Sequence, residues 1–95
     1  MVEASVAVTH EVGLHARPAA LFVQTANRFT SSVRVRNVTT GSEPVDAKSI
    51  LGILTLGVLS GHEIQVSADG PDEGEALRAL RALVEGGFIE GDAQA

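Results

Sequence analysis

From Val2 to Thr9 the chain alternates, with Val2, Ala4, Val6 and Val8 on one side and Glu3, Ser5, Ala7 and Thr9 on the other. A period of two predicts a half-buried strand. From Ala16 to about Asn27 the period changes. Ala19, Phe22, Val23, Ala26 and then Phe29 recur at helical spacing, while Arg17, Ala20, Leu21, Gln24 and Arg28 line the other side, so a first amphipathic helix is expected. "SVRVRN" alternates again, Val33 and Val35 inward against Arg34 and Arg36 outward. The turn residues of "TTGSEP" then lead to a short third strand near Val45, which should pair with the second as a hairpin.

"SILGILTLG" is too apolar to alternate. Ser49 suits an N-cap and Gly57 a C-terminal stop, which predicts a short helix with Ile50, Ile53 and Leu54 on its inner face and Leu51, Gly52 and Thr55 outside. "HEIQVSA" reads as a fourth strand with Ile64, Val66 and Ala68 inward. "PDEGEALRALRALVEGG" opens on proline and acids, carries Ala76, Leu77, Leu80, Leu83 and Val84 on one stripe, and stops at paired glycines, as a third helix should. The order is β-α-β-β-α-β-α. Strands with one apolar face and helices with one apolar stripe pack as a two-layer α+β domain, an antiparallel sheet with all helices on one side. Residues 1–85 form this single domain, and residues 86–95 are expected to be a flexible tail.

Charge and composition narrow the chemistry. At 95 residues and 44% hydrophobic content one core is affordable, and no run reaches the roughly 20 apolar residues of a membrane span. A net charge of −5 with 3% aromatic residues argues against a nucleic-acid reader. There is no cysteine, and three scattered histidines make a poor metal framework, so neither metal nor cofactor is expected. The positive residues Arg17, Arg28, Arg34, Arg36 and Lys48 all lie in the first half, which allows one locally basic face suited to a small anion. The expected setting is a soluble, cytoplasmic monomer.

The stretch "EVGLHARPAALFVQ" concentrates the candidate chemistry. If the helix starts at about Ala16, His15 is its N-cap or lies just outside it. The backbone N–H groups of Ala16 and Arg17 then have no intrahelical acceptor, and the Arg17 guanidinium adds donors beside them. Partial positive charge there favours an anion beside the imidazole. Spacing alone leaves His15 open between a plain cap and a nucleophile, and Ser49 open between an N-cap and a functional hydroxyl. His10 and His62 lack such a frame and read as ordinary surface or turn residues.

"GLHARPAA" (Gly13 to Ala20) followed by "KSILGILTLG" (Lys48 to Gly57) closely resembles the HPr family, the histidine-containing phosphocarriers of the bacterial phosphoenolpyruvate-dependent sugar phosphotransferase system. The resemblance implies a four-stranded sheet in the order 1-4-2-3 with three helices on one face. It implies that Nδ1 of His15 takes phosphate from enzyme I and passes it to a sugar-specific enzyme IIA, with Arg17 contacting the phosphate. Ser49 would be the serine phosphorylated by an HPr kinase/phosphorylase, with a transcriptional regulator as a further partner. Ala20, Leu21, Gln24, Arg28, Lys48, Leu51 and Gly52 would then form one docking surface around His15, on a carrier that is not itself an independent enzyme.

Overall fold

Each alternating stretch forms a strand and each stretch of helical period a helix. The computed structural model describes residues 1–10 and 13–88. Its elements are β1 (Val2–Ala7), α1 (Ala16–Ala26), β2 (Ser32–Asn37), β3 (Val45–Asp46), α2 (Ile50–Thr55), β4 (Glu63–Asp69) and α3 (Glu73–Glu85). The four strands make one antiparallel sheet in the order β1-β4-β2-β3.

The register explains why the pattern works. Val6 of β1 stands opposite Ile64, Ala4 opposite Val66, and on the other flank of β4 Val35 faces Val66 and Val33 faces Ala68. Apolar residues of three strands thus form rows on one side of the sheet, and a slip of one residue would turn a whole row toward water. The helices cover these rows. α1 contributes Ala19, Phe22 and Ala26, and α3 contributes Ala76, Leu80 and Val84, all in one core with Val6, Val33, Val35, Ile64 and Val66. The 1-4-2-3 order and the helices on one face match the α+β arrangement expected.

α2 departs from its sequence reading. Ile53 alone within the helix is buried, whereas Ile50 and Leu54, expected on the inner face, are 41% and 39% exposed. A six-residue helix has barely one and a half turns to offer the core. Burial passes instead to Leu56 and Val58 beyond its end. The tail reading also needs correction. Phe88 is buried, donates its amide to the Leu83 carbonyl at 3.0 Å, and meets His10 edge-on with ring centroids 5.8 Å apart. The domain therefore reaches at least to Phe88, and His10, read as an ordinary surface or turn residue, supports that packing; residues 89–95 lie outside the described residues.

The start of α3 is tied to the turn before β2. Asp72 occupies the N-cap position without capping α3 by its side chain. Its carboxylate instead accepts from the amides of Thr30 (3.0 Å) and Ser31 (2.9 Å) and from the Ser31 hydroxyl, while the Asp72 amide donates to Ser31 Oγ at 3.1 Å. Gly70 permits this approach, since a Cβ there would stand 2.6 Å from Ser31 Oγ. The Ser31 hydroxyl, followed by the Thr30 and Ser31 amides, favours the ionised form and holds the carboxyl at about 2 instead of 3.8.

A carboxyl whose folded value is depressed stabilises the fold above its unfolded value and loses that contribution as pH falls through the folded one. Between about pH 4 and pH 2 the protein should therefore lose thermal stability in part through Asp72. Asp72→Asn should lower the melting temperature at neutral pH and flatten its decline across that window; melting curves with parallel acid limbs in the two proteins would contradict this role.

Candidate functional site

A backbone contact sets the approach to His15. Gly13 has φ +69, and a Cβ on it would lie 2.2 Å from the Val58 carbonyl oxygen and 2.8 Å from the Leu59 Cα, so only glycine fits. Leu14 follows fully buried, with its amide donating to the same Val58 carbonyl at 3.0 Å. One residue later the chain surfaces. His15 is exposed, has extended backbone (φ −127, ψ 160), and is the N-cap of α1, but its side chain makes no capping hydrogen bond. The imidazole is thus held at a helix start without being consumed by capping.

Ala16 then takes a left-handed conformation, φ +47, which costs an L-residue about 1–2 kcal/mol. Buried Pro18 and Ala19 anchor the helix immediately after this turn, while Ala16 and Arg17 remain exposed. Pro18 has no N–H, and Ala19 reaches back to the His15 carbonyl over a long 3.4 Å. The amides of Ala16 and Arg17 precede that first intrahelical bond, at the positive end of the helix. His15, Ala16 and Arg17 are therefore brought together on one exposed helix end, as the sequence pattern suggested.

The other candidate residues are spread along the helix pair. Asn27, just past α1, donates to the Lys48 carbonyl at 3.3 Å, and Lys48 Nζ donates to the Phe29 carbonyl at 2.8 Å. Leu14, before α1, is bonded to Val58 beyond α2. The two helices consequently run antiparallel, with the far end of α2 near His15 and its start near the C-terminus of α1. Ser49 and Lys48 stand roughly one length of α1 from His15, about 16 Å for its 11 residues.

Ser49 caps α2, its Oγ accepting from the Gly52 amide at 3.1 Å, and it is half-buried. Gly52 sits tightly beneath, where a Cβ would be 3.2 Å from the Asp46 carbonyl oxygen. Gln24 and Arg28 are exposed, the latter with its guanidinium 5.8 Å from the Phe29 ring centroid. Two members of the expected docking stripe are more internal than their spacing suggested: Leu21 packs against the core, and Lys48 is half-buried because its ammonium is engaged by a carbonyl. Leu51 is 73% exposed, as its helical position predicted. Ile50, Leu54 and the 53% exposed Leu59 add apolar surface that the sequence reading missed. The brevity of α2 was the available signal for the first two.

His62 also differs from its reading as an ordinary surface residue. It is half-buried, and its Nδ1 accepts from the Leu59 amide (3.2 Å) and faces the Asn37 side-chain amide (3.1 Å). Asn37, buried at the end of β2, also donates to the Leu56 carbonyl at 3.2 Å. Among the described residues no helix is long and apolar enough to cross a membrane.

The sequence and the fold are both shared with known proteins. The family model described as PTS HPr component phosphorylation site matches residues 2–86. The HPr-like protein Crh of Halalkalibacterium halodurans is 48% identical over 85 residues, covering 90% of this chain and 98% of that protein. The phosphocarrier protein HPr of Neisseria meningitidis is 41% identical over 92 residues, 97% of this chain and 100% of that one. The crystal structure of HPr-C-His from Thermoanaerobacter tengcongensis superimposes with a TM-score of 0.88 at 48% identity, covering 93% and 96% of the two chains. With the family model spanning nearly the whole chain and the fold shared, this chain belongs to the HPr family of phosphocarrier proteins of the phosphotransferase system.

Proposed function

We propose that this chain is a phosphoryl carrier in which Nδ1 of His15 accepts a phosphoryl group from phospho-enzyme I and passes it to a histidine of a sugar-specific enzyme IIA. The observation that carries the reading is the exposed, uncapping His15 at the start of α1, with Ala16 and Arg17 beside it. The Nδ1 lone pair attacks phosphorus, the donor's P–N bond breaks, and its electron pair returns to the donor imidazole. Transfer to enzyme IIA is the same exchange in the other direction. The dianionic group then sits over backbone N–H donors and near a guanidinium, where a charge-assisted hydrogen bond contributes about 1.5–3 kcal/mol and a helix end about 0.3–1 kcal/mol. These contributions hold a labile bond without trapping it. The chain is a stoichiometric, cytoplasmic carrier and no independent enzyme, and one monomer suffices because His15, Arg17, Ser49 and Leu51 come from a single copy.

Docking falls to the exposed Leu51 with Ile50, Leu54 and Leu59, bordered by Ala20, Gln24 and Arg28. An apolar patch of modest size with a polar rim suits weak, fast exchange between successive partners. Regulation by a kinase acting on Ser49 follows on the same surface. A phosphate there adds about −1.5 to −2 charges. At about 16 Å from His15 through water, that phosphate and a dianionic group on His15 repel by only about 1 kcal/mol, which two Debye lengths of about 8 Å at physiological salt reduce to about 0.1–0.2 kcal/mol. The effect of Ser49 phosphorylation is therefore exerted on the docking partner and hardly at all on the imidazole. A second reading, a mainly regulatory carrier answering to a transcriptional regulator with little transport role, is favoured by the 48% identity to the HPr-like protein Crh.

Incubation with enzyme I and phosphoenolpyruvate should yield an acid-labile, base-stable adduct that disappears in His15→Ala, and an adduct surviving that substitution would overturn the carrier reading. In Arg17→Ala, onward transfer to enzyme IIA should slow by about tenfold or more, corresponding to one charge-assisted contact, while circular dichroism stays unchanged; an unaltered rate would remove Arg17 from the site. Ser49→Asp should raise the KM of enzyme I for the carrier and leave the hydrolysis rate of the His15 adduct unchanged. A faster or slower hydrolysis with constant KM would show that the charge acts on His15 directly.

A further inference from the structure

The turn from Val58 to His62 is the floor beneath the phosphate-accepting loop, and its own support is a side chain. Val58 gives its carbonyl to the Leu14 amide, and the Gly13 backbone lies against the Val58 carbonyl and the Leu59 Cα. The turn is closed by the His62 amide donating to the Leu59 carbonyl at 3.0 Å. Within it, the Leu59 amide donates to Nδ1 of His62, and the same nitrogen faces Nδ2 of Asn37. The orientation of Asn37 is set by its own partners: the Thr40 amide donates to its Oδ1 at 3.3 Å, and its Nδ2 donates to the Leu56 carbonyl. A donor therefore points at Nδ1 from each side, so this nitrogen is an acceptor and the ring proton sits on Nε2.

The buried end of β2 is thus linked through Asn37 and His62 to Leu59, and from Leu59 and Val58 to Gly13 and Leu14. We propose that His62 is a positioning residue for His15: its Nδ1 fixes the Val58–Leu59 backbone on which the phosphate-accepting loop rests. This inference rests on the reading of His15 as the phosphoryl acceptor. His62 is half-buried, with Leu59 and Asn37 as the partners of its Nδ1. It acts by keeping the imidazole of His15 in line with the incoming phosphorus, and misplacement of a reacting group by about 1 Å costs up to about a hundredfold in rate.

The side chain can be tested atom by atom. Asparagine can present an acceptor where Nδ1 stands, glutamine reaches the place of Nε2, and alanine offers neither. Phosphoryl uptake from enzyme I and phosphoenolpyruvate should be slowed about tenfold to a hundredfold in His62→Ala and His62→Gln, chiefly in kcat, and His62→Asn should restore most of the rate. Amide hydrogen exchange on the same proteins should show Leu14 and Leu59 exchanging faster in the alanine and glutamine variants, with the β4 amides unchanged. Uptake at the wild-type rate in both variants, or His62→Asn as slow as His62→Ala, overturns the proposal, as does a uniform gain in exchange across β4, which would mark a general loss of stability. If the unaltered protein takes up no phosphate, the carrier reading fails instead, and the exchange pattern alone decides whether His62 holds the loop.

Discussion

The hydrogen bond from the Leu14 amide to the Val58 carbonyl, with Gly13 pressed against the same peptide, is the constraint on which the site depends. It joins the segment entering α1 to the segment leaving α2. With the bridge from Asn27 to the Lys48 carbonyl at the opposite end, it makes the two helices antiparallel neighbours. Leu14 is drawn fully into the core, and His15 is forced out of it by the next turn of the backbone. The cost appears at Ala16, whose left-handed conformation is tolerated because Leu14 before it and Pro18 and Ala19 after it are buried.

From that geometry the division of labour on the surface follows. The proposed acceptor His15 stands at the first turn of α1, while Ser49 caps α2 at the opposite end of the helix pair. Between them the short α2 leaves Leu51, Ile50 and Leu54 open to solvent because six residues bring little more than Ile53 inward. Exposed Ile50, Leu51, Leu54 and Leu59 thus leave apolar surface on and just beyond the helix that Ser49 caps.

The rest of the fold serves as a rigid backing. β4 lies between β1 and β2 and aligns their apolar residues in rows, so the sheet presents a continuous floor to α1 and α3. Asp72 closes one corner by accepting two backbone amides and a hydroxyl from the Thr30–Ser31 turn. At another corner Phe88 covers His10, extending the packed domain past the glycines that end α3.

Strands, helices and their inner faces were legible from the sequence because side-chain direction is a local property: alternate residues of β1, β2 and β4 and every third or fourth residue of α1 and α3 face one way whatever lies opposite. The framing of His15 by Gly13, Arg17 and Pro18 was legible for the same reason, since a helix start is written within a few residues. The tertiary structure alone decided which polar groups meet across long stretches of chain. Lys48 could be read as a docking charge, but its ammonium is engaged by the Phe29 carbonyl. Asp72 stands at the N-cap of α3, but its carboxylate serves a turn 41 residues earlier. His62 carried no local frame at all, and its acceptor nitrogen gains meaning only from Leu59 and Asn37 converging on it. A periodic pattern encodes which face a residue takes; the partner it finds there depends on how distant segments pack, and no local spacing records that.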